Sequence, residues 1–136
     1  MNMVARFLVA LLLPALAIVV AAGAQEVLSL WVPAMNGSSF GSMTLGSYVG
    51  VILECAACAI AGYWLFRCDR STFYLGISEI APAAWAVALF VGVLPQGGVI
   101  NWRSQLVWVL IIGALAPPLG VALGWLLSSH ANGKGA

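Results

Sequence analysis

Four long apolar stretches alternate with short polar links along the chain. They fall at about 4–24, 46–66, 77–96 and 106–127. A helix needs roughly 20 apolar residues to cross the hydrocarbon core of a bilayer. In lipid every backbone N–H and C=O must be satisfied inside the segment or by a closed barrel, and four segments this long predict helices. The pattern therefore predicts an all-α integral membrane protein, a bundle of four transmembrane helices forming a single membrane domain over 1–136. The link 25–45 is predicted to lie outside the cytoplasm, and 128–136 to form a short, mobile cytoplasmic tail.

Composition agrees with that solvent. Of 136 residues, 63% are hydrophobic and 7% are charged, against roughly a quarter charged in a soluble domain. The net charge of +1 provides no basic field for nucleic acid. Lys and Arg are placed unevenly. Arg6, Arg67, Arg70 and Lys134 fall on one side of the predicted spans and Arg103 on the other. The positive-inside rule then sets both termini in the cytoplasm, with the plasma membrane, the inner membrane of a bacterium, as the expected location. Tyr63, Trp64, Phe66, Phe73, Tyr74 and Trp125 would form the inner aromatic belt; Trp31, Tyr48, Trp102 and Trp108 the outer one.

The first stretch has a second reading. A basic head, an apolar core and Ala22 and Ala24 at cleavage-site spacing also describe a secretory signal peptide over residues 1–24. Cleavage would leave three helices in the same orientation. Asn36-Gly37-Ser38 matches a glycosylation acceptor, with a plain turn as its alternative.

Lipid tails are as apolar as leucine, so close packing between membrane helices relies on small residues. The second stretch carries Gly46, Gly50, Glu54, Cys58 and Gly62 at steps of four. The third carries Ala84, Ala88 and Gly92, and the fourth Ala116, Gly120 and Gly124. Each predicts a helix-packing ridge. Glu54 shares its stripe with the glycines and is expected to face protein. An acid at the centre of a lone membrane helix costs roughly 2.5–3.5 kcal/mol on the insertion scale. Taking up a proton or hydrogen-bonding within the bundle lowers that cost.

Prolines fall near the middle of the first and fourth stretches. Pro117 and Pro118 remove the helical donors of the Gly113 and Ala114 carbonyls, and Pro14 acts likewise in the first stretch. Spacing places Pro14, Glu54 and Pro117-Pro118 at similar depth. Broken helices around an acid are one way transporters build a site, so Glu54, Pro117, Pro118, Gly113 and Ala114 form the candidate proton or ligand site. Its alternative is structural: kinks, and an acid that fixes helix register.

Cys55 and Cys58 share a helix face. A redox Cys-x-x-Cys favours a helix N-terminus, where the dipole activates the thiol. This pair is mid-helix and is expected to pack as small apolar residues. Cys68 is about ten residues beyond Cys58, and no metal or other cofactor is expected. The lone histidine, His130, is expected to be solvated. In outline the chain is similar to the small multidrug resistance family, which also has four helices and one buried Glu. There the acid is on the first helix; here it is on the second, after a link of about twenty residues, so the likeness is one of architecture.

These features predict no enzyme. They predict a non-catalytic helical subunit of a membrane complex, partnered by another membrane protein or by further copies of itself. The alternatives are a small oligomeric transporter that titrates Glu54 and, more remotely, thiol or metal handling by Cys55 and Cys58.

Overall fold

A computed structural model describes residues 2–32, 39–40, 43–67, 71–93 and 105–133. It is helical apart from one two-residue antiparallel pair, β1 (Ser39–Phe40) with β2 (Met43–Thr44), in which Ser39 faces Thr44. The helices are α1 (Met3–Trp31), α2 (Leu45–Phe66), α3 (Thr72–Ser78), α4 (Ile80–Val93) and α5 (Gln105–Gly133). Four helical stretches among the described residues are long and apolar enough to cross a membrane: Met3–Trp31, Tyr48–Phe66, Thr72–Leu89 and Ile111–Ala131.

Three boundaries differ from the sequence expectation, each for a local reason. α1 is expected to stop near residue 24 but continues to Trp31, into the predicted link. Nothing from Gln25 to Trp31 breaks a helix, and the end comes at Val32, just before Pro33. A proline disfavours helical geometry in the residue before it. The helix thus runs uninterrupted through Ala22 and Ala24, and it buries Ala10, Pro14, Ile18 and Ala21.

The third stretch starts at Thr72 rather than 77 and is divided at Glu79. Pro82 explains the division: it has no N–H for the carbonyl of Ser78, four residues back. The interruption is slight. Glu79 keeps right-handed helical geometry, donates its N–H to Leu75 O at 3.1 Å, and accepts from Ala83 N at 3.0 Å. α5 runs on to Gly133, so most of the expected mobile tail is helix. Ser128 and Ser129 there donate their hydroxyls back to Trp125 O and Leu126 O, each at 2.6 Å. Such bonds satisfy a serine inside a helix without outside help.

The most extensive contact in the molecule is α2 on α5, followed by α1 on α2. α4 packs on α5 and α1, which gives the cyclic order α1, α2, α5, α4. Ala10 and Ile18 of α1, Cys58, Leu65 and Phe66 of α2 and Val121 of α5 form the central cluster.

Glycines make the α2–α5 seam. A Cβ at Gly120 would sit 2.5 Å from the Cys55 carbonyl oxygen and 2.8 Å from Cys58 Cβ. One at Gly124 would strike the carbonyl oxygen of Ala59 and come within 2.6 Å of Tyr63 N, and one at Gly62 would lie 2.8 Å from Val121 O. The atoms in the way are largely backbone, so the two helices touch main chain to main chain. Moving from Gly120 to Gly124 advances the partner from Cys55–Cys58 to Ala59–Tyr63. The two helices therefore run in the same direction.

Candidate functional site

Glu54 is on the buried face of α2 and is 8% exposed. The spacing of the seam, in which Gly120 lies opposite Cys55 and Cys58, brings Pro117 of α5 to the level of Glu54. Pro117 is fully buried, Ala114 and Ala116 are each 5% exposed, and Pro118 and Gly113 are half-buried. α5 remains helical through both prolines. Their missing N–H groups still leave the Gly113 and Ala114 carbonyls without the usual helical donor.

Pro14 does not join this level. On α1, Gln25 rests against Gly50 of α2, while Leu13 and Trp64 line one end of the groove between the two helices and Val20 and Ala57 the other. This antiparallel register sets Pro14 beside the Gly62 end of α2, about eight residues from Glu54. At 1.5 Å per residue the separation is about 12 Å along the axis. The similar depth expected from sequence assumes that α1 ends near residue 24; its extension to Trp31 slides the proline away.

Two further polar residues belong to this part of the interior. Gly50, one turn from Glu54, has a bare Cα against which the Gln25 side chain packs, so that a Cβ there would lie 2.5 Å from Gln25 Cδ. Glu79, half-buried at the α3–α4 junction, is a second interior acid. The Cys58 thiol lies within electrostatic reach of Glu54 and of Glu79. The signal for Glu79 was present in the sequence: it is the only charged residue inside the third apolar stretch.

Neighbouring polar groups are dealt with locally. Ser78, fully buried, donates its hydroxyl to Leu75 O at 2.7 Å. The indole N–H of Trp85 is buried and meets no acceptor among the described residues, an arrangement that normally calls for a partner. Cys55 is half-buried and Cys58 fully buried, both as free thiols. Among the described residues no three His, Cys, Asp or Glu side chains group as metal ligands would. Cys68, Arg70, Arg103, Lys134 and Asn36-Gly37-Ser38 lie outside the described residues.

The three small-residue ridges have different surroundings. Gly50, Cys58 and Gly62 on α2 and Ala116, Gly120 and Gly124 on α5 are all buried. On α4, Ala84 and Ala88 are exposed, so they pack on no described helix of this chain. Pro82, fully buried, fixes which face of α4 turns inward, and Ala84 is two residues, about 200°, round from it. The surroundings of Gly46 and Gly92 are outside the described set. Comparison with protein-family models, with curated proteins and with solved structures finds no match to this chain.

Chemically, the described residues place in the interior the carboxyl groups of Glu54 and Glu79, able to hold or release protons, the enclosed thiol of Cys58 and the buried indole N–H of Trp85. The carboxyls come from different helices, α2 and the α3–α4 junction, so a small movement of one stretch against the other would change their surroundings.

Proposed function

We propose that this chain is an integral protein of a bacterial inner membrane with both termini in the cytoplasm, and that it serves as a non-catalytic helical subunit of a larger membrane assembly. The observation that carries this reading is the outward face of α4. Ala84 and Ala88 form a small-residue ridge that no described helix of this chain covers, and Val87 and Val91 beside it are 62% and 74% exposed. Small-xxx-small ridges suit close helix approach in lipid. The charge asymmetry of Arg6, Arg67, Arg70 and Lys134 against Arg103 supports the orientation.

The test is purification in a gentle detergent after crosslinking in the native membrane. The expected product holds a second membrane protein or a second copy of the chain, and Ala84→Leu with Ala88→Leu weakens it. Recovery of the uncrosslinked single chain alone overturns the reading.

A second reading, a small proton-coupled transporter, draws on the interior acids Glu54 and Glu79, both within electrostatic reach of Cys58. Its test is proton flux into proteoliposomes. Glu54→Gln keeps a hydrogen-bonding side chain and removes the titrating group, so a carrier loses flux with Gln as well as with Ala. Flux that survives both variants rules out Glu54 as the carrier. Cys55→Ala with Cys58→Ser leaves flux unchanged unless the thiols take part.

A further inference from the structure

At one end of the bundle, two guanidinium groups stand over aromatic rings, each beside an apolar cleft. Arg67, following the last turn of α2, lies over the Trp64 ring at 5.6 Å from its centroid. Trp64 closes one end of a groove of about 470 Å³ between α1 and α2, walled by Leu16, Ala17, Val20, Ala57 and Ile60. The groove leads away from Arg67 for about seven residues of helix, roughly 10 Å. Arg6, in the second turn of α1, lies over the Tyr74 ring at 4.3 Å. Tyr74 in turn borders a smaller cleft of about 210 Å³ lined by Met3, Val4, Phe7 and Phe73. The edge-to-face packing of Phe73 on Tyr74, with centroids 5.4 Å apart, steadies that wall.

We infer that the first of these is a seat for an anionic phospholipid of the leaflet on this side, with the phosphate at Arg67 and an acyl chain in the groove that leads away from it. The argument is charge and shape complementarity at Arg67 and the groove beside it. A guanidinium held over a ring keeps its N–H groups in its own plane, in the fork geometry that suits phosphate oxygens. Arg67 adjoins Trp64, an aromatic ring suited to the headgroup level, and beyond the ring lies a groove with almost no polar lining. A soluble anion fits the first part and has no use for the second; an uncharged lipid fits the second and has no use for the first. An amphiphile with a negative head uses both. A basic seat on the cytoplasmic side matches the leaflet where anionic lipids concentrate. The inference rests on the membrane reading above.

The experiment embeds the full chain in nanodiscs of phosphatidylcholine with a minority of phosphatidylglycerol, and counts the lipids that remain on the protein by native mass spectrometry. In parallel, brominated phosphatidylcholine reports insertion by quenching tryptophan fluorescence. Absence of quenching refutes the membrane reading itself, whatever the lipid count. With quenching present, the expected result is one retained phosphatidylglycerol molecule. Arg67→Gln lowers retention by about fivefold, the worth of one basic side chain at an anionic surface. Ala57→Phe, which fills the α1–α2 groove and leaves Arg67 in place, lowers it as Arg67→Gln does. Arg103→Gln leaves it unchanged. Equal loss with Arg103→Gln, or full retention with Ala57→Phe, means diffuse surface charge and overturns the proposal. Helicity by circular dichroism confirms that each variant is folded.

Discussion

The two halves of the bundle hold together by different means. α2 and α5 meet along a glycine seam, main chain on main chain, with Gly62, Gly120 and Gly124 supplying the clearance. The α3–α4 stretch is joined to its neighbours more lightly. It is divided at Glu79, turns its only small-residue ridge outward, and meets α5 and α1 over far less surface. The difference shows that a run of small residues does not itself make a contact. On α4 a buried proline decides the inward face, and the alanines fall on the other side.

That contrast can be broken most directly at Gly124. A side chain there collides with the Ala59 carbonyl and Tyr63 N–H, which cannot move without separating the helices. Gly124→Val is expected to cost about 3 kcal/mol or more, as overpacking of a tight core does. Unfolding in mixed detergent measures it. The same kind of change where nothing crowds the glycine has the opposite sign. A Cβ at Gly76 or Gly113 meets no atom within 4 Å, so Gly→Ala at either is expected to be neutral or to stabilise by up to about 1 kcal/mol. If Gly124→Val and Gly113→Ala behave alike, the seam is not what holds α2 to α5.

Val121, fully buried beside the seam, sharpens the comparison. Val121→Ala is expected to cost about 2 kcal/mol through lost contact and a residual void. On the lighter side, Pro82→Ala returns an N–H to the Ser78 carbonyl. The expected outcome is a single helix from Thr72 to Val93 with slow amide exchange at position 82, and a stability change within about 1 kcal/mol as the regained bond offsets lost packing. Rapid exchange at that amide would mean that Pro82 is not the cause of the division. The smallest effect belongs to Ala84→Leu and Ala88→Leu. On an exposed face they should leave unfolding of the single chain within about 0.5 kcal/mol, whatever they do to association.

Much of this architecture was legible in the residues alone. Four apolar runs of sufficient length marked four helices, and the four-residue spacing of Gly50, Glu54, Cys58 and Gly62 marked the buried face of α2. What escaped depended on contacts between distant segments or on a short polar signal. The extension of α1 beyond Ala24 was hidden because Gln25 and Glu26 read as the start of a link, although neither opposes a helix. That misplaced end carried the depth of Pro14 with it. Glu79 was overlooked because it sits near the edge of its apolar run, and only folding sets it near Cys58. The inward face of α4 had no hydrophobic period to reveal it, since apolar residues surround that helix on all sides. In such a helix, orientation is decided by shape and by the positions of Pro82 and Ser78 rather than by polarity.

The shared direction of α2 and α5 has a consequence for biosynthesis. Two helices that run the same way cannot be joined by a tight turn, and here the whole α3–α4 stretch lies between them in the chain. While the ribosome is still making that stretch, the face of α2 bearing Glu54 and Gly62 has only α1 to lean on. Its principal neighbour follows that whole stretch, so the interior acid is enclosed late, and an arrest of translation before α5 would leave a chain with an acid awaiting cover.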